Sequence, residues 1–140
     1  MDITNVKQAV PFFVIASMDS SLNFYIKGLD FKLKRKWAPQ GKIEWCWLNL
    51  DNASVMLQEY RHKPLDEKSG KGVSIYFICE DALTMYNRII SRKVPAAEPF
   101  VGNNMWIFWV KDPDGYNIFF ESHTDVPEET TYSDWIRERR

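Results

Sequence analysis

The sequence predicts an α+β chain made of two βαβββ modules, their curved mixed sheets paired to enclose a cavity. Three observations carry this. Strand-length apolar runs and one amphipathic helix occur twice in the same order. Residue types recur at a near-constant offset: Tyr25 and Tyr86 on the helices are 61 apart, and Leu57 with Phe119, or Glu59 with Glu121, are 62 apart on the last strands. Finally, each unit alone would leave one sheet face bare, so the two must pair.

Residues 8–15 are an apolar run of strand length, ended by Ala16-Ser17. A helix follows, in which Ser17 or Asp19 supplies the cap, Leu22, Tyr25 and Ile26 give the 3.6-residue period, and Gly28 provides a left-handed terminus. Three strands come next, 31–37, 43–50 and 53–60, the last two joined by Asp51-Asn52 as a hairpin turn. Residues 61–71 are polar, punctuated by Pro and Gly and without periodicity, which marks a linker.

The pattern then restarts. Residues 73–79 alternate as a strand, and 81–91 place Leu83, Tyr86, Ile89 and Ile90 on one helical stripe. A short strand is expected near 94–97, and 105–110 with 116–121 form a hairpin. In its turn Asp112 bonds backbone amides, Pro113 presets φ, and Gly115 tolerates the closing geometry. In the polar tail, Tyr132, Trp135 and Ile136 stand at helical spacing, a short helix against the surface or a partner. The whole reads as one domain, 1–140: module one about 5–60, linker 61–71, module two about 72–122, tail 123–140.

At 140 residues the chain can bury a core without disulfides or a structural metal. Eighteen Lys and Arg against nineteen Asp and Glu leave no field to attract nucleic acid or an anionic membrane. Lys32, Lys34 and Lys36 alternate along a strand and read as its solvated edge. No secretory start and no membrane-spanning run is visible, so a cytoplasmic protein is expected. Cys46 and Cys79 sit in strand-like segments without Cys-x-x-Cys spacing, as reduced packing residues do. The aromatic share of 15%, with six Trp, exceeds what a core of this size needs, so some rings face a ligand or a subunit.

Ser21-Leu-Asn-Phe-Tyr25 after the first strand and Asp112-Pro-Asp-Gly-Tyr116 before the last, set in a duplicated βαβββ unit, resemble the vicinal oxygen chelate superfamily. That group holds glyoxalase I, bleomycin resistance proteins, fosfomycin resistance enzymes and extradiol dioxygenases. The resemblance spans about residues 8–122 and implies the fold, while the site residues must decide the activity. In the metal-dependent members four ligands project into the cavity from the first and last strands of each unit. The corresponding positions here are Val10, Leu57, Ser74 and Phe119. Three cannot coordinate and a Ser hydroxyl is a weak donor, so neither metal nor cofactor is expected.

Period-two alternation puts Val10, Phe12 and Val14, then Val55, Leu57 and Glu59, then Ser74, Tyr76 and Ile78, then Asn117, Phe119 and Glu121 on the cavity side. The expected ligand-binding set is Phe12, Trp47, Leu57, Glu59, Ser74, Tyr76, Trp106, Phe119 and Glu121, with Trp37, Trp45 and Trp109 extending it. Glu59 and Glu121 would meet a cationic ligand at the mouth. His62 and His123 read as loop histidines, or, with the two glutamates, as a displaced metal site.

The resemblance to the bleomycin resistance group implies metal-independent sequestration of a planar or cationic small molecule. It also implies a homodimer with its pockets at or near the interface and no catalytic residue. The alternative is a lyase, isomerase or dioxygenase with Glu59 and Glu121 as acid/base groups or ligands. A regulatory module with a filled core is the third reading.

Overall fold

The computed structural model describes residues 5–59 and 72–139; the expected linker and His62 lie outside them. The elements follow as β1 (Phe12–Ile15), α1 (Met18–Leu22), β2 (Lys32–Trp37), β3 (Trp45–Leu50), β4 (Ala53–Glu59), β5 (Ser74–Ile78), α2 (Ala82–Ser91), β6 (Phe100–Gly102), β7 (Met105–Lys111), β8 (Asn117–His123) and α3 (Tyr132–Glu138). Two four-stranded sheets run β1-β4-β3-β2 and β5-β8-β7-β6. In each, the first strand is parallel to the last and the remaining pairs are antiparallel. The duplicated α+β architecture is therefore present.

Ser17 caps α1, its hydroxyl accepting from the Ser20 amide at 3.2 Å. The helix then widens into a π-helical segment over Asn23–Gly28, closed by the Leu29 amide on the Phe24 carbonyl. Gly28 is consequently not the left-handed terminus expected from sequence. Its role is close approach, since a Cβ there would stand 2.8 Å from Val94 Cγ2, and the left-handed residue is Asp30 at φ 72°. In the second half Asp81 caps α2 by accepting from the Thr84 amide. The strand expected near 94–97 is only one bond, Ala97 N–H to the Trp109 carbonyl; Pro95 and Pro99 cannot donate to a ladder, and β6 forms just beyond them. Thr131 caps α3, which packs on its own chain through Tyr132 and Trp135 against Trp106.

One side of both sheets and the helices share a core of Ile15, Tyr25, Phe31, Leu48, Leu57, Ile89, Phe108 and Phe120, all fully buried. The halves join at the β7–β8 turn. Asp112 is buried there, accepting from the Asp114 and Tyr116 amides at 2.9 Å each and from the Tyr25 hydroxyl at 2.8 Å. Asp114 accepts from the Ala16 amide at 3.0 Å. Tyr116 stacks on Phe13 at 4.1 Å and donates its hydroxyl to the Val14 carbonyl at 3.0 Å. The two sequence motifs that carried the resemblance are thus the two sides of one joint. Burial pushes the Tyr25 phenol well above its ordinary range, and the neighbouring Asp112 charge adds to this. Burial also raises the Asp112 carboxyl, while the Tyr25 and amide bonds pull it back.

Superposing the halves in sequence corrects the offset. The caps Ser17 and Asp81 are 64 apart. Glu59 accepts from the Met18 amide at 2.6 Å, as Ser122 accepts from the Ala82 amide at 2.8 Å, and these two residues are 63 apart. Buried Val55 and Leu57 likewise match buried Ile118 and Phe120. An offset of 62 is one residue short, and one residue turns a strand over.

Candidate binding face

The outer side of the second sheet, turned away from the helices, carries an aromatic row fixed by strand register. Tyr76 pairs with Phe119 and Phe119 with Trp109. Tyr76 and Phe119 stack with centroids 4.4 Å apart and planes 10° apart, and Trp109 leans on Phe119 at 5.6 Å. These rings sit on the outer side because their neighbours in sequence, Phe108, Ile118 and Phe120, fill the core. The next row is Ile78, Glu121, Ile107 and Phe100; on the other flank stand Ser74, Asn117 and Lys111. Tyr76 is 52% and Ile78 67% exposed, so in the single chain this is an open face rather than the closed cavity expected from sequence. Among the described residues the Glu121 carboxylate has no hydrogen-bond or ion-pair partner.

The first sheet's outer side differs. Its rows are Phe12, Met56, Trp47 and Arg35, then Val14, Gln58, Trp45 and Trp37. Lys34 and Arg35 lie over the Trp47 ring at 5.5 and 5.8 Å, and Trp47 Nε1 donates to Asn49, which also accepts from Ser54. Lys32, Lys34 and Lys36 are all exposed on the edge strand β2, as expected.

The residues expected to line one site therefore separate. Ser74, Tyr76, Phe119 and Glu121 stand together on the second sheet, and Phe12 and Trp47 lie on the outer side of the first. Leu57 is 0% exposed on the helix side, and Glu59 caps α1 and pairs with Lys42 at 3.3 Å, so neither reaches the outer face. Trp106 is buried beneath α3. The outer counterparts of Phe119 and Glu121 in the first half are Met56 and Gln58, which the shorter offset concealed. Ile107 and Phe100 also belong to the face; the alternation of Trp106, Phe108 and Val110 into the core is the signal that places Ile107 outward.

A divalent metal does not suit these residues. Val10, Ser74 and Phe119 offer no imidazole or carboxylate, and Met56, which takes the outer place expected of Leu57, is a soft thioether. Among the described residues no three His, Cys, Asp or Glu gather to hold an ion. His123 is exposed and pairs with Asp125 at 3.4 Å. Burial pushes the Cys46 thiol up to about 11 and raises that of Cys79, so both are poor thiolates at neutral pH, in keeping with packing roles.

Two paired βαβββ halves with an open outer face define the class: duplicated-module α+β proteins of the glyoxalase type. The chain belongs to the Glyoxalase/Bleomycin resistance protein/Dioxygenase superfamily, whose model matches residues 8–120. No curated protein matches it. Among solved structures it is similar to TioX from Micromonospora sp. ML1, with 14% identity, a TM-score of 0.69, and 84% of this chain and 99% of that one covered. It is also similar to TnmS3, an antibiotic binding protein from Streptomyces sp. CB03234, with 16% identity, a TM-score of 0.66, and coverage of 89% and 99%. A third likeness is the glyoxylase/bleomycin resistance protein/dioxygenase domain from Frankia sp. EAN1pec, at 17% identity, a TM-score of 0.65, and coverage of 90% and 96%. Among the described residues no helix is long and apolar enough to cross a membrane.

Proposed function

We propose that the protein binds a planar, cationic small molecule without a metal and without breaking a bond. The observation that carries this is the Tyr76, Phe119 and Trp109 row with the Glu121 carboxylate, unpaired among the described residues, in the row beside it. Stacked rings give area to a flat guest, and an adjacent carboxylate selects positive charge. Ser74 and Asn117 at the other flank add polar groups that orient the guest. The likeness to TnmS3, an antibiotic binding protein, supports sequestration as the purpose.

The bare face needs a cover, and the reading includes a homodimer in which a second copy closes the groove. Exposed Phe12, Trp37, Tyr76, Ile78, Phe100 and Trp109 on the outer sides supply the apolar surface for it. Sedimentation should show a dimer that Ile78→Lys dissociates; a monomeric wild type would remove this part. For the ligand, the test is ethidium, a planar cation, titrated against wild type and Glu121→Gln with its fluorescence anisotropy as readout. Saturable binding that weakens in the variant is expected. Equal affinity in the two proteins would take Glu121 out of the site.

A further inference from the structure

The two joints between the halves are related by the internal pseudo-twofold, yet among the described residues a ring fills only one. On one side Tyr116 of the β7–β8 turn inserts its ring against Phe13 and bonds the Val14 carbonyl. By the offsets established above, the counterpart of Phe13 is Phe77, that of Val14 is Ile78, and that of Tyr116 is Ala53. The β3–β4 turn is the two-residue Asp51-Asn52, shorter than Asp112-Pro-Asp-Gly115, and it presents a methyl group where the other turn presents a phenol. At this place a cavity of about 490 Å³ opens, with Ala53, Phe77, Cys79, Met85 and Phe120 among its walls. That volume falls within the range of small-molecule sites.

The cavity retains the groups that hold Tyr116 in the other joint. Phe77 is only half-buried where Phe13 is buried. The odd-numbered residues of β5 make its ladder bonds, as in Cys79 N–H to the Glu121 carbonyl at 2.7 Å. This directs the Ile78 carbonyl away from β8, as the Val14 carbonyl is directed away from β4 to meet the Tyr116 hydroxyl. Three carboxylates, Asp51, Glu80 and Asp81, line the cavity against one guanidinium, Arg88. From this we infer that the second joint is a binding site for a small phenol bearing an amine, its ring stacking on Phe77 and its hydroxyl donating to the Ile78 carbonyl. The site opens beside α2, shares only Ile78 with the aromatic outer face, and does not depend on the function proposed for that face.

Tyramine, which combines the phenol and the ammonium, is the probe, read by saturation-transfer NMR, with phenethylamine and 4-ethylphenol as the forms lacking one group each. Tyramine should bind most tightly. Ala53→Tyr places the missing ring in the cavity and should weaken tyramine by at least about tenfold while ethidium binding persists. Ala53→Leu fills the same space with a smaller side chain and keeps the test valid if the Tyr variant does not fold. In the wild type, tyramine should also slow alkylation of Cys79. No tyramine binding at millimolar concentration, binding unchanged in both Ala53 variants, or binding abolished by Phe119→Ala instead would overturn the inference.

Discussion

The two outer sheet faces share a scaffold and differ in what covers their rings. On the second sheet, Tyr76, Phe119 and Trp109 line the outer side next to Glu121, which has no partner among the described residues; on the first, the corresponding rows hold Met56 and Gln58, and Lys34 and Arg35 cover Trp47. Duplication preserves the core, because packing tolerates little change, and leaves the outer rows free to diverge. A cation meeting the first face encounters Lys34 and Arg35 over Trp47 beside exposed Phe12 and Trp37; meeting the second, it encounters rings and a carboxylate, with Lys111 on the far flank. The recognition surface proposed above therefore draws its stacked rings and its carboxylate from the second module.

The largest effect should come from crossing the sheet within one strand. Phe120 is 0% exposed in the core and Phe119 is its neighbour on the outer side. Phe120→Ala should cost about 3–5 kcal/mol in urea denaturation, whereas Phe119→Ala should cost well under half of that. In binding the order reverses. Phe119→Ala should weaken ethidium by about tenfold or more, since it removes the central ring of the row.

Trp109→Ala and Trp47→Ala sharpen the contrast between modules. The first should lose several-fold in ethidium affinity by the same titration and the second should lose none; equal losses would mean that both faces contribute to one site. Glu121→Gln should weaken ethidium by about three- to tenfold, and more at low salt than at high salt, because the attraction is electrostatic. Gln58→Glu, which places a carboxylate at the matching spot in module one, should not create a second site.

The smallest effect concerns the thiols. Cys46 lies fully buried in the first sheet with its thiol pushed up to about 11. Its folded value stands above its unfolded one, so the folded state keeps a proton that the unfolded state releases. The stability this contributes is complete below about pH 9 and is lost as pH rises toward 11. In native protein at pH 8, a thiol reagent should leave Cys46 unmodified and react slowly with the half-buried Cys79.

Much of the fold was legible because the signals were local. The Asp112 turn, the Asp81 cap, the stripe of α2 and the hairpins all follow from short patterns, and α3 was visible in three residues. The candidate site was legible only where one strand could be phased by its own alternation, as at Phe119 and Glu121. In module one the residue-type matches suggest an offset of 62, whereas the strands keep 63. The shorter offset turns Leu57 and Glu59 outward, although Leu57 fills the core and Glu59 satisfies the first amide of α1. Helix-start acceptors could have corrected this, since Ser122 holds the equivalent place, but nothing in one strand's composition reveals which amide a side chain will meet. The burial of Trp106 is hidden from its own strand for a related reason: the helix that covers it begins 26 residues downstream.

The most direct test of the account is calorimetric titration of ethidium into chelator-treated wild type and, under the same conditions, into Phe119→Ala. Saturable binding by the metal-free wild type, with at least about tenfold weaker binding by the folded variant, is the predicted result. Binding that appears only when a divalent ion is restored, or that is equal in the two proteins, would contradict it.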